Sequence, residues 1–190
     1  MIKNIINTCR STAIVSRYSQ SHLQRPENVL EHTGFVAVAC LAIGQLHPEV
    51  NMESLLSKAI CHDLEESVIG DIINPVKYAT PEITAALENL ALEVIDNISI
   101  ELDFPSLPIL WMNSKDDSLE GRIVTIVDVI SVVAKLYEEV AIYGNLSIID
   151  YANNTKRFFT NKLQFEKDSI LRGVIEEALV INNEILGIKK

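Results

Sequence analysis

The chain has 190 residues, 48% of them hydrophobic, and a net charge of −10, so it has ample material for a packed core and is not a disordered polypeptide. The negative balance argues against a nucleic-acid or anionic-membrane surface, but not against a small anionic substrate held by a few local cations. Three cysteines, Cys9, Cys40 and Cys61, with no CxxC spacing, argue against a disulfide framework or a thiolate zinc site and suit a reducing compartment.

Ile2, Ile5, Ile6, Cys9 and Ala13 recur at helical spacing, which predicts a first helix ending near Arg17. No signal-peptide pattern is read in these first residues, because polar positions interrupt every apolar run. Residues 18–28 are polar, contain Pro26 and read as a loop. A second helix is expected from near Asn28 to His47-Pro48, with Val29, Phe35, Val36, Ala39, Ile43 and Leu46 inward and His32 on the same side. Asn51 is a plausible N-cap for a third helix that runs to Gly70. Asn74 to Tyr78 reads as a loop. Thr80-Pro81 supplies a capping hydroxyl and a proline at the first helical position, so a fourth helix follows, with Ile83, Leu87, Leu90, Ala91, Val94, Ile95 and Ile98 as its apolar face.

Residues 99–117 carry Pro105 and Pro108 and allow a short helix around Trp111. Ser118 then caps a long segment reaching Gly144. Its middle, Ile123 to Val133, is β-branched enough to suggest a strand. The absence of turn signals over some 25 residues makes it a buried central helix instead, interrupted by Thr125, Asp128 and Ser131 and too polar to span a bilayer. Further helices are expected between Leu146 and Leu163 and from Ser169 to Leu186, with Gly187 at the end. The expected fold class is all-α, one domain over 1–190, with the site within about 15–130 and the C-terminal helices 146–187 in the same domain.

The segment Ala59-Ile60-Cys61-His62-Asp63-Leu64-Glu65-Glu66 carries the chemistry. Residues three and four apart share a helix face, so Leu55, Ala59, His62, Asp63 and Glu66 lie along one stripe. Glu65, about 100° round from Glu66, is expected to face solvent. His32 and Asp128 also stand on apolar helices, where an uncompensated polar group is destabilising. Singly, each has an ordinary explanation: a core histidine bonded to a carbonyl, an aspartate paired with a lysine. Together they form a plausible ligand set, since imidazole and carboxylate are good donors to a divalent metal.

A histidine, then His-Asp, then a later aspartate resembles the signature of the HD-domain phosphohydrolases. Arg17-Tyr18, Glu27-Asn28-Val29-x-Glu31-His32, His62-Asp63-x-x-Glu66, Gly70-Asp71, Pro75-Val76-Lys77-Tyr78, Asp128, Leu136-Tyr137-Glu138-Glu139 and Gly144-Asn145 are similar, in order and spacing, to the bacterial 5′-deoxynucleotidase branch. That branch also includes phage enzymes acting on deoxyadenosine triphosphate. The resemblance covers roughly residues 10–145 and implies an HD-domain helical bundle. It implies that His32, His62, Asp63 and Asp128 hold one divalent transition metal, Co²⁺, Mn²⁺, Zn²⁺ or Fe²⁺ more readily than Mg²⁺. It further implies that Glu66 orients or deprotonates water, with Asp71 assisting, and that Arg17 and Lys77 hold phosphate while Tyr18 stacks near base or sugar.

Two departures stand out: Tyr18 where the branch carries tryptophan, and Glu65 where a serine is typical. The implied substrate is a small-molecule 2′-deoxynucleotide, a monophosphate before a triphosphate. His22 and Arg25 are the candidates for reaching a longer phosphate tail. No nucleic-acid or membrane partner is implied. A homo-oligomer, dimer or higher, is expected, in the cytoplasm or in a host cytoplasm if the chain is phage-encoded. Two rivals share the ligands. A nucleotide sensor without turnover has no need of Glu66 and Asp71. A cyclic-nucleotide phosphodiesterase would need further histidines, and only His22 and His47 remain, in or beside loops.

Overall fold

A computed structural model describes residues 2–188. Its helices are α1 (Ile2–Ile14), α2 (Val29–Gly44), α3 (Met52–Cys61), α4 (Glu66–Ile69), α5 (Asn74–Lys77), α6 (Pro81–Leu102), α7 (Leu107–Met112), α8 (Leu119–Leu136), a π-helical turn (Tyr137–Ile142), α9 (Ile149–Phe165) and α10 (Ser169–Ile188). Among the described residues the extended pairing is one isolated antiparallel bridge, Ser16 to Asn28, so the fold is all-α. None of these helices is long and apolar enough to cross a membrane.

The helix starts are where the capping chemistry puts them. Asn28 accepts from the Glu31 N–H while the Glu31 side chain reaches back, a reciprocal capping box for α2. Asn51, Thr80 and Ser118 each accept from the backbone N–H three residues on, opening α3, α6 and α8. The β-branched run of α8 is helical because it is buried: Ile123, Val124, Ile126, Val127, Val133 and Leu136 sit at the centre of the main core. Around them pack Val36 and Cys40 of α2, Leu55 and Ala59 of α3, Phe159 of α9 and Leu171 and Ile175 of α10. A smaller cluster joins Cys61 to Val94, Ile95 and Ile98 of α6 and to Leu107.

Several expected boundaries are corrected. The first helix stops at Ile14, because the Ser16–Asn28 bridge takes the chain into extended backbone, with Val29 N–H donating to Val15 and Arg17 N–H to Glu27. Ile2, Ile5 and Ile6 of α1 are exposed. In α2 the buried face is Val29, His32, Val36, Cys40 and Gly44; Phe35 and Leu46 are exposed. Ile83 and Leu90 of α6 are likewise exposed. The segment 74–77 forms one helical turn with Pro75 near its start, where its missing N–H costs nothing. Gly187 lies inside the last helix.

The expected helix from Asn51 to Gly70 is broken. Leu64, Glu66 and Ser67 N–H groups donate to Cys61, Asp63 and Leu64, three residues back instead of four, so residues 62–65 form a tightened turn between α3 and α4. The long helix expected to reach Gly144 also changes after Leu136 into the wider π-turn. There Glu139, fully buried, accepts the Gln24 and Arg25 N–H groups and the Asn145 side chain, with Lys135 Nζ 3.1 Å away. The wide turn thus moors the 18–28 loop.

Lys58, itself buried, joins α3 to the start of α8 through an ion pair with the partly exposed Asp116 at 2.7 Å and a bond to Ser118 Oγ at 2.8 Å. Gly121 leaves room for this turn: a Cβ there would strike the backbone of Asp116. Gly121→Ala is therefore expected to cost about 1–3 kcal/mol, as overpacking does. Gly173 in α10 has open space around an added Cβ, so Gly173→Ala should gain about 0.5–1 kcal/mol. Denaturant midpoints of the two variants check the opposite signs.

Candidate metal centre and cleft

Each member of the four-residue cluster arrives from its own constraint. His32 is on the buried face of α2, one turn before Val36. His62 and Asp63 occupy the tightened turn, which lets two adjacent side chains serve one point: His62 Nε2 lies 3.2 Å from Asp63 Oδ2. Asp128 comes from the middle of α8. His32 Nε2 stands 3.1 Å from His62 Nε2, 3.2 Å from Asp63 Oδ2 and 3.3 Å from Asp128 Oδ1. One donor atom from each of the four falls within 4.8 Å of all the others.

The outward nitrogens explain why the Nε2 atoms face inward. His62 Nδ1–H donates to the Ala59 carbonyl at 2.7 Å. His32 Nδ1–H donates to Ser131 Oγ at 3.0 Å, and that hydroxyl donates to the Asp128 carbonyl at 2.6 Å. With Nδ1 protonated on both rings, the two Nε2 lone pairs point at each other beside two carboxylates. Such an arrangement fits a divalent cation, whose histidine ligands donate their other N–H to carbonyls and hydroxyls in this way.

Lys115 was missed from the sequence. Its Nζ lies 2.8 Å from Asp128 Oδ2 and 3.5 Å from Asp63 Oδ1. No pattern marks it, because it sits in the irregular stretch before α8. Burial would raise the pKa of both carboxyls, yet the Lys115 ammonium beside them helps to hold Asp63 and Asp128 well below the usual range. Burial opposes the charge on Lys115 but the two aspartates outweigh it, so its pKa is raised.

Beside the cluster opens a cleft of about 410 Å³. Arg17, Tyr18, Glu66, Asp71 and Lys77 all line it, together with Asp63 and Asp128 of the cluster. Arg17 Nη1 is 3.5 Å from Asp63, and its Nε is 3.2 Å from Glu27. Burial pushes the Glu66 carboxyl up to about 9, helped by Asp63 and Asp71, and its Oε2 is buried with no hydrogen-bond partner among the described residues. Asp71 reaches the cleft because Gly70 adopts φ 81 and ψ 166, a conformation open essentially to glycine. Asp71 Oδ2 then accepts the N–H of Tyr18, itself left-handed at φ 55.

The structure differs from expectation at three residues. Glu65 is buried, with its carboxylate accepting from Trp111 Nε1 at 2.6 Å. In a turn of three residues, positions i and i+3 eclipse, so Glu65 follows His62 inward; burial, then Asp63, pushes its carboxyl up to about 7. His22 and Arg25 do not line the cleft. Arg25 is exposed and pairs with Glu138 at 3.0 Å and Glu31 at 3.5 Å, while the His22 carbonyl accepts from Asn145 and Ser147. Tyr151 and Phe158 of α9 were not anticipated. They line the cleft, and Tyr151 packs edge-on to the Tyr18 ring at 5.3 Å.

The chain is similar to several known proteins. The family model described as 5′-deoxynucleotidase YfbR-like matches residues 5–167. The 5′-deoxynucleotidase YfbR of Escherichia coli is 28% identical over 141 residues, 70% of each chain. An HD-domain phosphohydrolase from Listeria innocua superposes with a TM-score of 0.73 at 23% identity, covering 98% of both chains. The cyanophage S-2L HD phosphohydrolase DatZ, solved with dA and one catalytic Zn²⁺ ion, superposes with a TM-score of 0.60 at 18% identity, covering 96% of both.

Ser131→Ala removes the acceptor that orients His32 while leaving the ligands in place. Metal affinity should fall by about 10–100-fold, the usual effect of losing such a partner. Equilibrium dialysis against Zn²⁺ with elemental analysis measures it, and an unchanged dissociation constant would count against the assigned tautomer.

Proposed function

The chain belongs to the 5′-deoxynucleotidase YfbR-like family, and from that premise we propose that it is a metal-dependent phosphohydrolase that cleaves the bond between the 5′ oxygen and the α-phosphorus of 2′-deoxynucleotides. One observation carries this reading: a buried His32–His62–Asp63–Asp128 cluster opens into a cleft that holds an unpartnered carboxylate, Glu66, and the cations Arg17, Lys77 and Lys115. The two imidazoles and two carboxylates suit Zn²⁺, Co²⁺, Mn²⁺ or Fe²⁺ better than Mg²⁺. When bound, the cation supplies Lewis acidity toward the phosphate and the attacking water.

The chain's own groups do the rest. Arg17, Lys77 and Lys115 hold the non-bridging phosphate oxygens in place. With a cation held by the cluster, the neighbouring Glu66 carboxyl would ionise; it would then accept a proton from the attacking water as the new P–O bond forms, and Asp71 would pass that same proton on to the 5′ oxygen as its bond to phosphorus breaks. Tyr18, Tyr151 and Phe158 give the base and sugar an aromatic wall. The C-terminal helices thereby join the site, in keeping with one domain over the whole chain. We further take the protein to act in the cytoplasm on free nucleotides and not on nucleic acid. A homo-oligomer, dimer or higher, would cover the apolar groove of about 320 Å³ that Ile5, Ile60 and Phe104 help to line.

Monophosphates are the favoured substrates. A triphosphate brings about two further negative charges, and the loop residues that would meet them, His22 and Arg25, lie outside the cleft, Arg25 already paired. Parallel rates on dAMP and dATP with the same metal test this. Phosphate released from dAMP at the higher kcat/KM is expected; intact triphosphate released from dATP at the higher kcat/KM overturns the choice of substrate and keeps the bond cleaved.

Glu66→Gln separates the base from the ligands. The variant should keep its metal and bind substrate, yet lose on the order of 10²–10⁴ in kcat, the contribution of a general base. Metal content that falls together with the rate would make Glu66 a ligand instead.

A further inference from the structure

His47 lies in the turn between α2 and α3, outside the cleft. Its N–H donates to Gly44 and its carbonyl accepts from Val50, so the backbone holds the ring inside, only 3% exposed. Neither ring nitrogen has a hydrogen-bond partner among the described residues. Buried polar groups are almost always paired, so an unpaired imidazole calls for an explanation. Nδ1 is 3.7 Å from Asp168 Oδ2 and 4.0 Å from Glu49 Oε1. Asp168 is preset: its Oδ1 accepts the Leu171 N–H at 2.8 Å at the start of α10, which leaves Oδ2 facing His47. Among the described residues no lysine or arginine lies within ion-pair distance of either carboxylate.

These separations are too long for hydrogen bonds and leave the ring nitrogen and both carboxylates open to a common partner. A charged imidazolium would draw its carboxylates in to about 2.7–2.9 Å. Donor atoms around a four-coordinate ion with bonds of about 2.0–2.1 Å stand roughly 3.3 Å apart, so the 3.7 and 4.0 Å found here would close on an ion by a small inward movement of the two carboxylates. We propose that His47, Glu49 and Asp168 form a second divalent-cation site, suited to a Zn²⁺-like ion with one nitrogen and two oxygen donors and water completing the shell. It shares no residue with the catalytic cluster. Its ion would clamp the α2–α3 turn to the start of α10. Because α2 and the segment following α3 deliver His32, His62 and Asp63, the clamp secures the frame of the catalytic site without touching the substrate.

The test counts ions. Full-length protein stripped with chelator is dialysed to equilibrium against Zn²⁺ and analysed for metal per chain. Wild type should hold two ions. Asp128→Asn should hold one, as should His47→Gln, from the other site. Glu49→Gln alters a largely exposed side chain, so it folds even if the buried His47 variant does not, and it should weaken one of the two sites by at least about tenfold. A single ion in wild type, or two ions bound with wild-type affinity in Glu49→Gln, overturns the proposal.

Discussion

Two imidazole nitrogens 3.1 Å apart, with two carboxylates at 3.2–3.3 Å, cannot rest in a protein interior without positive charge between or beside them. The rest of the molecule is arranged around that demand. α2, the 62–65 turn and α8 meet at the cluster. The Lys58–Asp116 ion pair and the fully buried Leu55 and Ala59 fix α3 against α8 so that His62 and Asp63 face Asp128. Ala59 and Ser131 then take the outward N–H of each ring, so the backbone geometry of α3 and α8 chooses the tautomers.

Local irregularities lie where the site needs them. A regular α-helix separates adjacent side chains by about 100°, and the tightened turn at 62–65 brings two of them to one point. Gly70 and the left-handed Tyr18 bend two separate loops so that the Asp71 carboxylate meets a backbone N–H. The π-turn buries Glu139 against the 22–25 backbone and thereby holds the loop that carries Arg17 and Tyr18. Strained or unusual backbone of this kind persists only where surrounding structure enforces it, and it concentrates at functional sites.

Charge is distributed with the same logic. The chain is acidic overall, yet Arg17, Lys77 and Lys115 converge on one cleft beside four carboxylates. Such a mixed site binds an anion only when its acidic members are themselves neutralised. Here the aspartates face Lys115 and the cluster that fits a cation, and Glu66 stands next to them with one oxygen unpaired.

Helix positions, the buried character of α8 and the identity of the cluster were legible in the sequence, because capping residues act over three positions and apolar periodicity is local. The order His32, His62-Asp63, Glu66, Gly70-Asp71 and Asp128 was legible for the same reason: chemistry that needs particular side chains leaves them in the chain. What the sequence alone could not decide was orientation and company. Glu65 reads as exposed if the helix is regular and is buried because it is not. Lys115 comes from an irregular stretch, and Tyr151 and Phe158 from a helix that carries no motif. All three reach the cleft through packing between distant segments, as does Asp168, 121 residues from His47. Arg25 was a plausible phosphate donor until Glu138, on a distant turn, occupied it. Local rules choose elements, whereas contacts between elements far apart in sequence choose partners, and only the tertiary structure supplies those.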